Sequence, residues 1–431
     1  MGSSGTAPAG AEVHGRVEDG YQGLREAFAE NFARRGERGA ALAVLRDGEL
    51  VADLWGGTAD ADAPAAEPGA AEPGAGSAIG ARPWEAGTAV LLRSATKGVA
   101  ATVVLLLADR GLIDLDAPVR EYWPEFGAAG KERVTVRELL AHRAGVPALD
   151  TPLTPEQAAD GESGPIAVAA QRPLWEPGSA HGYHAQTFSW LLGELVRRVD
   201  GRSLGGVLEE DLAEPLGLDL WIGMPEELHG RAARIAAVEA PGTSAGGVGG
   251  AGGGSAGGPR FRPRRDIAAA YADPGSLTRR AFGTVFPAPD ENAPLWRAAE
   301  LPASNGIATA RGLAGFYAAV GGGHVLSRRM LDQARAEHAH GADRVLLTRT
   351  RFGLGFMLHG SACAMTGEGA FGHPGRGGSL AFADPERGLA FAYVTNGMQP
   401  SVTSDPRAQA LLRALRAAVA DAPGQGARRA A

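Results

Sequence analysis

Strand-like patterns lie near both ends of this 431-residue chain, and their placement constrains the fold more than any other feature. Residues 40–45 and 49–55 are apolar runs separated by Asp47-Gly48, a typical tight-turn pair. Residues 379–383 and 389–395 repeat this arrangement around a turn of five residues. Helical periodicity dominates the sequence between the two hairpins. The pattern therefore predicts an α/β (α+β) fold, with one antiparallel sheet built from both chain ends, flanking helices and an inserted, mostly helical subdomain.

A single folded domain is predicted over residues 15–420. Its α/β part comprises about residues 15–115 and 300–420, because these stretches hold the hairpins and the helices beside them. The helical insert comprises about residues 116–299. Hydrophobic residues make up 44% of the chain, which is enough to give such a domain a large core.

Four stretches have neither helical nor strand periodicity. Residues 57–87 are rich in Ala, Pro, Gly and Asp, and residues 242–258 consist mostly of Gly, Ala and Ser, so both are predicted to be flexible loops. The glycine-rich stretch at residues 242–258 does not have the pattern of a phosphate-binding loop, because no strand precedes it and no Lys-Ser/Thr pair follows it. Residues 1–14 and 421–431 are predicted to be tails.

Charge and hydropathy exclude several classes of function. A net charge of −7 and a pI near 5.9 leave no basic footprint for nucleic acid. The longest apolar run, residues 99–108, is far shorter than the about 20 residues that cross a membrane. Residues 1–12 lack the apolar core of a secretory signal. We therefore expect a cytoplasmic protein with a small-molecule partner, without nucleic acid or membrane as partner, and of an oligomeric state that no pattern predicts.

Neither a metal nor a cofactor is expected. Cys363 is the only cysteine, which excludes an internal disulfide framework and a cysteine-based zinc site. His338 and His340 are close in sequence, but two histidines without an acidic partner at ligand spacing make a poor metal site.

Lysine is scarce, and one of the two lysines follows a serine at a spacing of three. Of the 42 Lys and Arg residues only Lys97 and Lys131 are lysines. A desolvated lysine can give up its proton, whereas an arginine cannot. Ser94 and Lys97 directly precede residues 98–108, which are apolar on all sides and are predicted to form a buried helix. The pattern predicts a serine nucleophile at a helix N-terminus with an amine of lowered pKa one turn away, the alternative being an N-cap serine and an incidental lysine.

Tyr183 is a candidate for a third role in proton transfer. It lies in a loop just before an amphipathic helix that is predicted to begin near Phe188. An ammonium close to a phenol lowers the pKa of the phenol toward phenolate, so Tyr183 is expected to take the proton of Ser94. Taken alone, such a tyrosine is equally well explained as a half-buried aromatic.

Residues 372–379 form a glycine-rich run that leads into the last hairpin. Glycine lets a backbone approach a ligand closely, and a strand edge offers its amide to a bound carbonyl. His373 and Gly375 are therefore candidate substrate-binding residues. An ordinary glycine-rich turn before a strand is the alternative.

Ser94-Ala95-Thr96-Lys97, Tyr183 and His373-Pro374-Gly375, in this order, resemble the motifs of the serine β-lactamase and penicillin-binding-protein superfamily. The likeness is greatest to its class C-like branch, with the family VIII carboxylesterases and related acyltransferases. Residues 139–145 and 384–388 resemble further elements of that family. The resemblance implies a β-lactamase/transpeptidase-like fold and an acyl-enzyme on the serine, with the lysine and the tyrosine moving the proton.

The resemblance also implies an oxyanion hole formed by the backbone amides of Ser94 and Arg376. Trp175 is a candidate for an apolar substrate pocket. Other tryptophans considered for that pocket are Trp190, Trp221 and Trp296. Packing in the core is the competing explanation for all four, because buried aromatics dominate protein cores.

Two positions depart from the family pattern. Ala185 stands where the family has the Asn of Tyr-x-Asn, so the side-chain amide that contacts the lysine and the substrate is missing. His373 and Pro374 stand where true β-lactamases place the Lys and Thr that hold the substrate carboxylate. Both departures favour an ester substrate that lacks this carboxylate.

The resemblance therefore implies a carboxylesterase-like serine hydrolase that acts on a small-molecule ester or acyl substrate. One alternative is an ATP-independent transacylase, which passes the acyl group to an amine or alcohol acceptor in small-molecule biosynthesis. β-Lactam hydrolysis and D,D-peptidase activity are less favoured by the two departures. A further alternative is a sensor that is acylated once and does not turn over.

Overall fold

The computed structural model describes residues 11–61, 81–238 and 265–421. Its α-helices are α1 Gln22–Arg34, α2 Thr96–Asp109, α3 Val136–Leu140, α4 Pro155–Ala159, α5 Ser163–Ala170, α6 Phe188–Asp200, α7 Leu204–Leu208, α8 Glu214–Leu216, α9 Arg265–Ala272, α10 Leu277–Phe282, α11 Pro294–Ala298, α12 Ala310–Gly321, α13 Arg328–Arg335 and α14 Pro406–Asp421. Its strands are β1 Val13–Val17, β2 Gly39–Arg46, β3 Glu49–Gly57, β4 Val90–Leu91, β5 Leu220–Trp221, β6 Ala236–Ala237, β7 Ile307–Ala308, β8 Ala339–Ala342, β9 Arg349–Phe352, β10 Met357–Leu358, β11 Phe371–Pro374, β12 Leu380–Asp384, β13 Leu389–Thr395 and β14 Gly397–Met398.

Both predicted hairpins are present, and they meet in the centre of one antiparallel sheet. The strand order among the described residues is β1-β3-β2-β13-β12-β11-β10-β9-β8. Strand β2 pairs directly with β13, so a strand from near the start of the chain lies beside one from near its end. The sheet made from both chain ends is therefore confirmed. The edge strand β1 was not predicted, and it begins inside the stretch expected to be a tail; three of its five residues are exposed, so its apolar signal is weak.

The central strands carry large side chains on one face and small ones on the other. In β2, Leu42 and Val44 belong to the buried cluster that includes the apolar faces of α1 and α14. Ala41 and Ala43, on the opposite face, belong to the cluster that includes α2 and α12. Because alternate residues of a strand face opposite sides, the pattern Ala-Leu-Ala-Val leaves room for helices to pack closely on the alanine face. The sheet is thus covered by helices on both faces.

The predicted insert contains α3 to α11 and the short strands β5 and β6 within its described part. Strand β5 pairs with β7, and β7 pairs with β4, which joins the insert to the segment that carries Ser94. The division of the domain into residues 15–115 and 300–420 on one side and 116–299 on the other stays a prediction.

Three further predictions concern local structure. Thr135, Glu138 and the residues after them predict a helix that begins with a capping box and runs to Gly145; the capping box is present, but the helix ends at Leu140, because His142 has a φ of 60°. The loop predicted at 242–258, and residues 62–80 of the loop predicted at 57–87, lie outside the described residues, as do residues 1–10 and 422–431. No helix in the described ranges combines the length and the apolar character needed to cross a bilayer.

Lys131, the second lysine, is fully buried and serves as a cross-link. Its Nζ donates to the carbonyl oxygens of Ala128 at 2.9 Å, Ala169 at 2.9 Å and Gln171 at 2.7 Å. These bonds tie the turn at residues 128–131 to the end of α5. Burial lowers the pKa of Lys131 to about 8. A compact ammonium with three donors fits three converging carbonyls, whereas a planar guanidinium does not.

Replacing Lys131→Met is expected to lower the free energy of unfolding by about 2 kcal/mol or more, because three buried carbonyl oxygens lose their donor. Denaturant unfolding followed by circular dichroism measures this change. Arg133→Met, which removes an exposed cation two residues away, is the matched control and should change stability by less than about 0.5 kcal/mol. Equal stability of the two variants would contradict the cross-link.

Candidate active site

Ser94 lies in a sharp turn between a strand and the most buried helix. After β4, the amide of Leu92 donates to the carbonyl of Gly306 at 2.8 Å, and residues Arg93–Ala95 form one 3-10 turn that runs into α2. Arg93 has a φ of 49°, a backbone conformation that is uncommon for a residue with a side chain. Its guanidinium binds both carboxylate oxygens of Glu291, at 2.9 and 2.5 Å. Neither the unusual backbone nor this ion pair has a sequence signature.

Lys97 is completely buried, and its amine points at Ser94. The Nζ atom lies 2.8 Å from the carbonyl oxygen of Ala185, 3.0 Å from that of Ala303 and 3.4 Å from Ser94 Oγ. Burial lowers the pKa of Lys97 well below its usual value, as the sequence predicts. A neutral amine has two N–H donors and one lone pair. With two carbonyls taking the donors, the lone pair is left to face Ser94.

The burial of Lys97 follows from the composition of α2. Every residue from Thr96 to Ala108 is buried. Gly98 permits this packing, since a Cβ at that position would lie 2.3 Å from the hydroxyl oxygen of Tyr317. The all-apolar helix predicted from residues 98–108 is therefore confirmed, and it is the source of the dry surroundings of the amine.

Tyr183 reaches the same point from the loop before α6. Its ring centroid lies 4.7 Å from Lys97 Nζ, and its side chain shares a hydrogen bond with that of Ser94. The expected lowering of its pKa is wrong, because burial raises the pKa of Tyr183 well above its ordinary value. The physical reason is desolvation of the phenol itself, which the hydrogen bond with Ser94 offsets only in part. Burial thus favours the protonated phenol of Tyr183 and the neutral amine of Lys97.

The loop of Tyr183 is held by residues that the sequence analysis missed. The amide of Tyr183 donates to Asp343 Oδ1 at 3.1 Å, and the amide of His184 donates to His142 Nδ1 at 3.3 Å. His184 in turn contacts the carbonyl of Gly182 at 2.8 Å through Nδ1 and accepts from the amide of Val146 through Nε2. His142 belongs to the segment 139–145 noted in the sequence, but its partner could not be read from there.

Ala185 shows how the missing asparagine is replaced. Its backbone carbonyl, not a side chain, receives the Lys97 hydrogen bond at 2.8 Å. A backbone carbonyl accepts and cannot donate, so it suits an amine that needs an acceptor. The contact to the lysine is thereby kept, while the side-chain amide for a substrate is lost.

The glycine-rich run closes over Ser94 from the other side. A Cβ at Gly375 would lie 2.3 Å from the carbonyl oxygen of Leu92, so only glycine permits this approach. The amides of Gly375, Gly377 and Gly378 donate to backbone carbonyls, whereas that of Arg376 has no backbone acceptor among the described residues. The amide of Ser94 lies in the first turn of a helix, where N–H groups lack intrahelical acceptors. The arrangement is compatible with the oxyanion hole, whose role for Ser94 and Arg376 stays a prediction.

His373 stacks on Tyr183 with ring centroids 5.8 Å apart. Its Nδ1 lies 2.8 Å from the carbonyl oxygen of Pro374, and its buried Nε2 has no partner among the described residues. Burial lowers the pKa of His373 to about 3, so the ring is neutral where the family has a charged lysine. It therefore cannot offer a substrate carboxylate the charge of that lysine.

The tryptophans lie in the packed interior or at its boundary. Trp175 donates its indole N–H to the carbonyl of Ala180 at 3.1 Å and lies against Gly182, and Trp190 donates to Ala158 at 3.1 Å. Arg231 lies over the ring of Trp221, and Trp296 is buried in the large core cluster. Trp175 is thus close to the loop of Tyr183, and its role in substrate binding stays a prediction.

The two histidines considered for a metal lie away from Ser94. His340 contacts Glu337 at 3.0 Å, an acidic partner that the sequence analysis did not count. His338 contacts the carbonyl of Gln333 at 3.0 Å. Within the described ranges no group of three or more potential ligands forms a metal-binding cluster.

The sequence and the structure of this chain are similar to those of known proteins. Residues 24–415 match the protein-family model described as Beta-lactamase. The protein "Esterase/beta-lactamase LipL" of Mycobacterium tuberculosis is 37% identical over 406 residues, covering 92% of this chain and 86% of its own length. A crystal structure of a family VIII carboxylesterase has 34% identity and a TM-score of 0.75, covering 94% of this chain and 100% of its own. A penicillin-binding-protein homologue from Caulobacter crescentus has 36% identity and a TM-score of 0.76, with the same coverage.

The rate at which p-nitrophenyl acetate acylates Ser94 is expected to fall as the pH is lowered through the pKa of Lys97, because only the neutral amine accepts the serine proton. Burial holds the pKa values of His184 and His373 near 3, so these rings do not titrate near neutral pH. Mass spectrometry of the intact protein over a pH series measures the acylation rate.

Lys97→Met and Lys97→Arg should each lower this rate by about 10²–10⁴-fold, because neither side chain accepts a proton. Lys131→Met removes the other lysine and is the control, which should be acylated normally at temperatures where it is folded. Full acylation of a folded Lys97→Arg protein would rule out the lysine as the base.

Proposed function

The chain belongs to the Beta-lactamase family and is a serine hydrolase of the esterase/β-lactamase type, and on that premise we propose that it cleaves small carboxylic esters through an acyl-enzyme on Ser94. One observation carries the proposal: a fully buried amine lies 3.4 Å from Ser94 Oγ, with two carbonyl oxygens occupying its donors. Such an amine is a base poised on a serine hydroxyl.

Acylation begins with attack of Ser94 Oγ on the ester carbonyl carbon, while the hydroxyl proton moves to Lys97 Nζ. The carbonyl oxygen becomes an oxyanion, and the amides of Ser94 and Arg376 are the proposed donors to it. In the collapse of this intermediate the bond from carbon to the alcohol oxygen breaks. Tyr183 gives its proton to the departing alkoxide, and the ammonium of Lys97 then returns a proton to the phenolate.

Deacylation repeats the sequence with water as the nucleophile. Lys97, again neutral, takes a proton from the water, and Ser94 leaves as the alcohol after regaining one. If an amine or alcohol binds in place of water, the same steps make a transacylase, which remains the second candidate. None of the proposed steps uses a cofactor.

Two residues of the site indicate the class of substrate. His373 is neutral and Ala185 offers no side-chain amide, so the groups that the family uses to hold a β-lactam or a peptide are absent at these positions. This supports esters over β-lactam or D,D-peptide substrates. The intact base also favours turnover over a sensor that is acylated once. A cytoplasmic location stays a prediction from composition.

Incubation with p-nitrophenyl butyrate, with and without excess primary amine, should give steady release of butyric acid as the main product, identified by mass spectrometry. An amide that outcompetes the acid would establish the transacylase instead. A single burst with a lasting mass increase on Ser94 would establish the sensor. Ser94→Ala should abolish all product, and full activity in that variant would refute the acyl-enzyme.

Tyr183→Phe is expected to slow hydrolysis of ethyl butyrate far more than that of p-nitrophenyl butyrate. An ethoxide needs a proton to leave, whereas p-nitrophenolate departs as a stable anion. The predicted loss is about 10²–10⁴-fold for the ethyl ester. Comparing kcat for the two esters in both proteins measures it, and equal losses would show that Tyr183 does not act as the acid.

A further inference from the structure

Arg376 is an exposed residue whose side chain is partly desolvated, and its guanidinium has no carboxylate partner among the described residues. Its Cζ lies 5.6 Å from the ring centroid of Phe282, so the side chain extends across the face of that ring. The contrast with Arg93 is informative, because Arg93 is fully engaged by Glu291 through two hydrogen bonds. One arginine beside the nucleophile is therefore structural, and the other has its donors available.

The surroundings of Arg376 are positively charged overall. The cations Arg93 and Arg279 both lower its pKa, after the larger effect of desolvation, whereas Glu291 acts in the opposite direction. Glu291 is already neutralised by Arg93. The arrangement leaves an excess of positive charge in a partly dry place, where an added anion would be stabilised.

Arg376 is also close to the reacting atoms. Its carbonyl oxygen accepts a hydrogen bond from Arg93 Nη1 at 3.2 Å, and Arg93 directly precedes Ser94. Phe282, over which the guanidinium lies, has its ring centroid 6.3 Å from that of Tyr183. The ring centroid of Tyr271 lies 5.6 Å from that of Phe282. The rings of Tyr183, Phe282 and Tyr271 thus form a row, which we call the aromatic wall. One side of a substrate that acylates Ser94 would therefore contact the aromatic wall and would lie within reach of Arg376.

We propose that the Arg376 side chain binds a carboxylate of the substrate, so that the enzyme prefers esters carrying a free carboxylate on the acyl chain or on the alcohol. This inference rests on the proposed ester hydrolysis and specifies its substrate class. It changes the expectation drawn from His373 and Pro374, since the positive charge lost at His373 is supplied three residues later by a side chain on the aromatic wall. Arginine suits this task because its planar fork binds a carboxylate through two parallel hydrogen bonds.

Two pairs of esters test the proposal and distinguish the two positions of the carboxylate. Mono-p-nitrophenyl glutarate is compared with p-nitrophenyl butyrate, and 3-(carboxymethyl)phenyl butyrate with 3-ethylphenyl butyrate. The quantity measured is the ratio of kcat/KM for the anionic ester to that for its neutral partner. Using a ratio cancels any change in the oxyanion hole, which the backbone of Arg376 is proposed to form.

The wild-type protein should favour the anionic ester in at least one pair. Arg376→Gln should lower that ratio by about 10–100-fold, and Arg376→Lys by less, because lysine keeps the charge but not the fork. Arg279→Gln is the matched control, as it removes a nearby exposed cation, and it should change the ratio by less than about twofold. A ratio unaffected by Arg376→Gln, or lowered equally by Arg279→Gln, would overturn the carboxylate site.

The two proposals fail in different ways. If Ser94-dependent hydrolysis of the neutral esters is normal but no ratio responds to Arg376, only the carboxylate site is wrong. If no ester is hydrolysed in a Ser94-dependent way, the proposed function is wrong. In that case calorimetry with mono-p-nitrophenyl glutarate and p-nitrophenyl butyrate still decides the role of Arg376. Ser94→Ala protein should bind the anionic ester more tightly, and the added change Arg376→Gln should remove that difference.

Discussion

The site depends on keeping one amine away from water. Lys97 is held in a fully buried position by α2, and burial lowers its pKa, so the neutral amine is favoured. Two backbone carbonyls, those of Ala185 and Ala303, take its N–H groups and leave the lone pair for Ser94. Ala185 lies in the predicted insert, whereas Ala303 lies in the predicted α/β part. The amine is therefore correctly placed only when the insert and the sheet are packed together.

A buried arginine connects segments from near both chain ends to the same site. Arg407, at the start of α14, pairs with Glu37 at 3.1 Å and Asp405 at 3.0 Å, and it donates to the carbonyl of Gly377 at 2.6 Å. Glu37 precedes β2, and Gly377 follows the residue proposed for the oxyanion hole. A fully desolvated guanidinium is tolerable only with such partners. The fold thus uses one buried arginine to fix the glycine-rich run against both termini.

The two lysines and the two arginines beside the site illustrate why these cations are not interchangeable. At Lys97 the fold needs an amine that can lose its proton, and at Lys131 it needs three donors that converge on carbonyls. Arg93 and Arg376 instead offer a planar fork of N–H donors. The first uses it to brace the strained turn before Ser94, and the second is proposed to use it on substrate.

The sequence by itself determined the candidate residues of the reaction centre and most of the elements that carry them. Spacing placed Lys97 one helical turn after Ser94, and the apolar run that follows predicted the burial that lowers its pKa. Turn residues and alternation fixed both hairpins. These features are local, so neighbouring residues are enough to encode them.

Only the tertiary structure decided what surrounds these residues. It raised the pKa of Tyr183 where the sequence predicts a lowering, because the phenol is completely buried. It supplied the backbone carbonyl of Ala303 and the carboxylate of Asp343, which come from distant parts of the chain and leave no pattern in the sequence. It also brought Arg376 over Phe282. Desolvation and long-range contacts are properties of the packed molecule, and no local spacing encodes them.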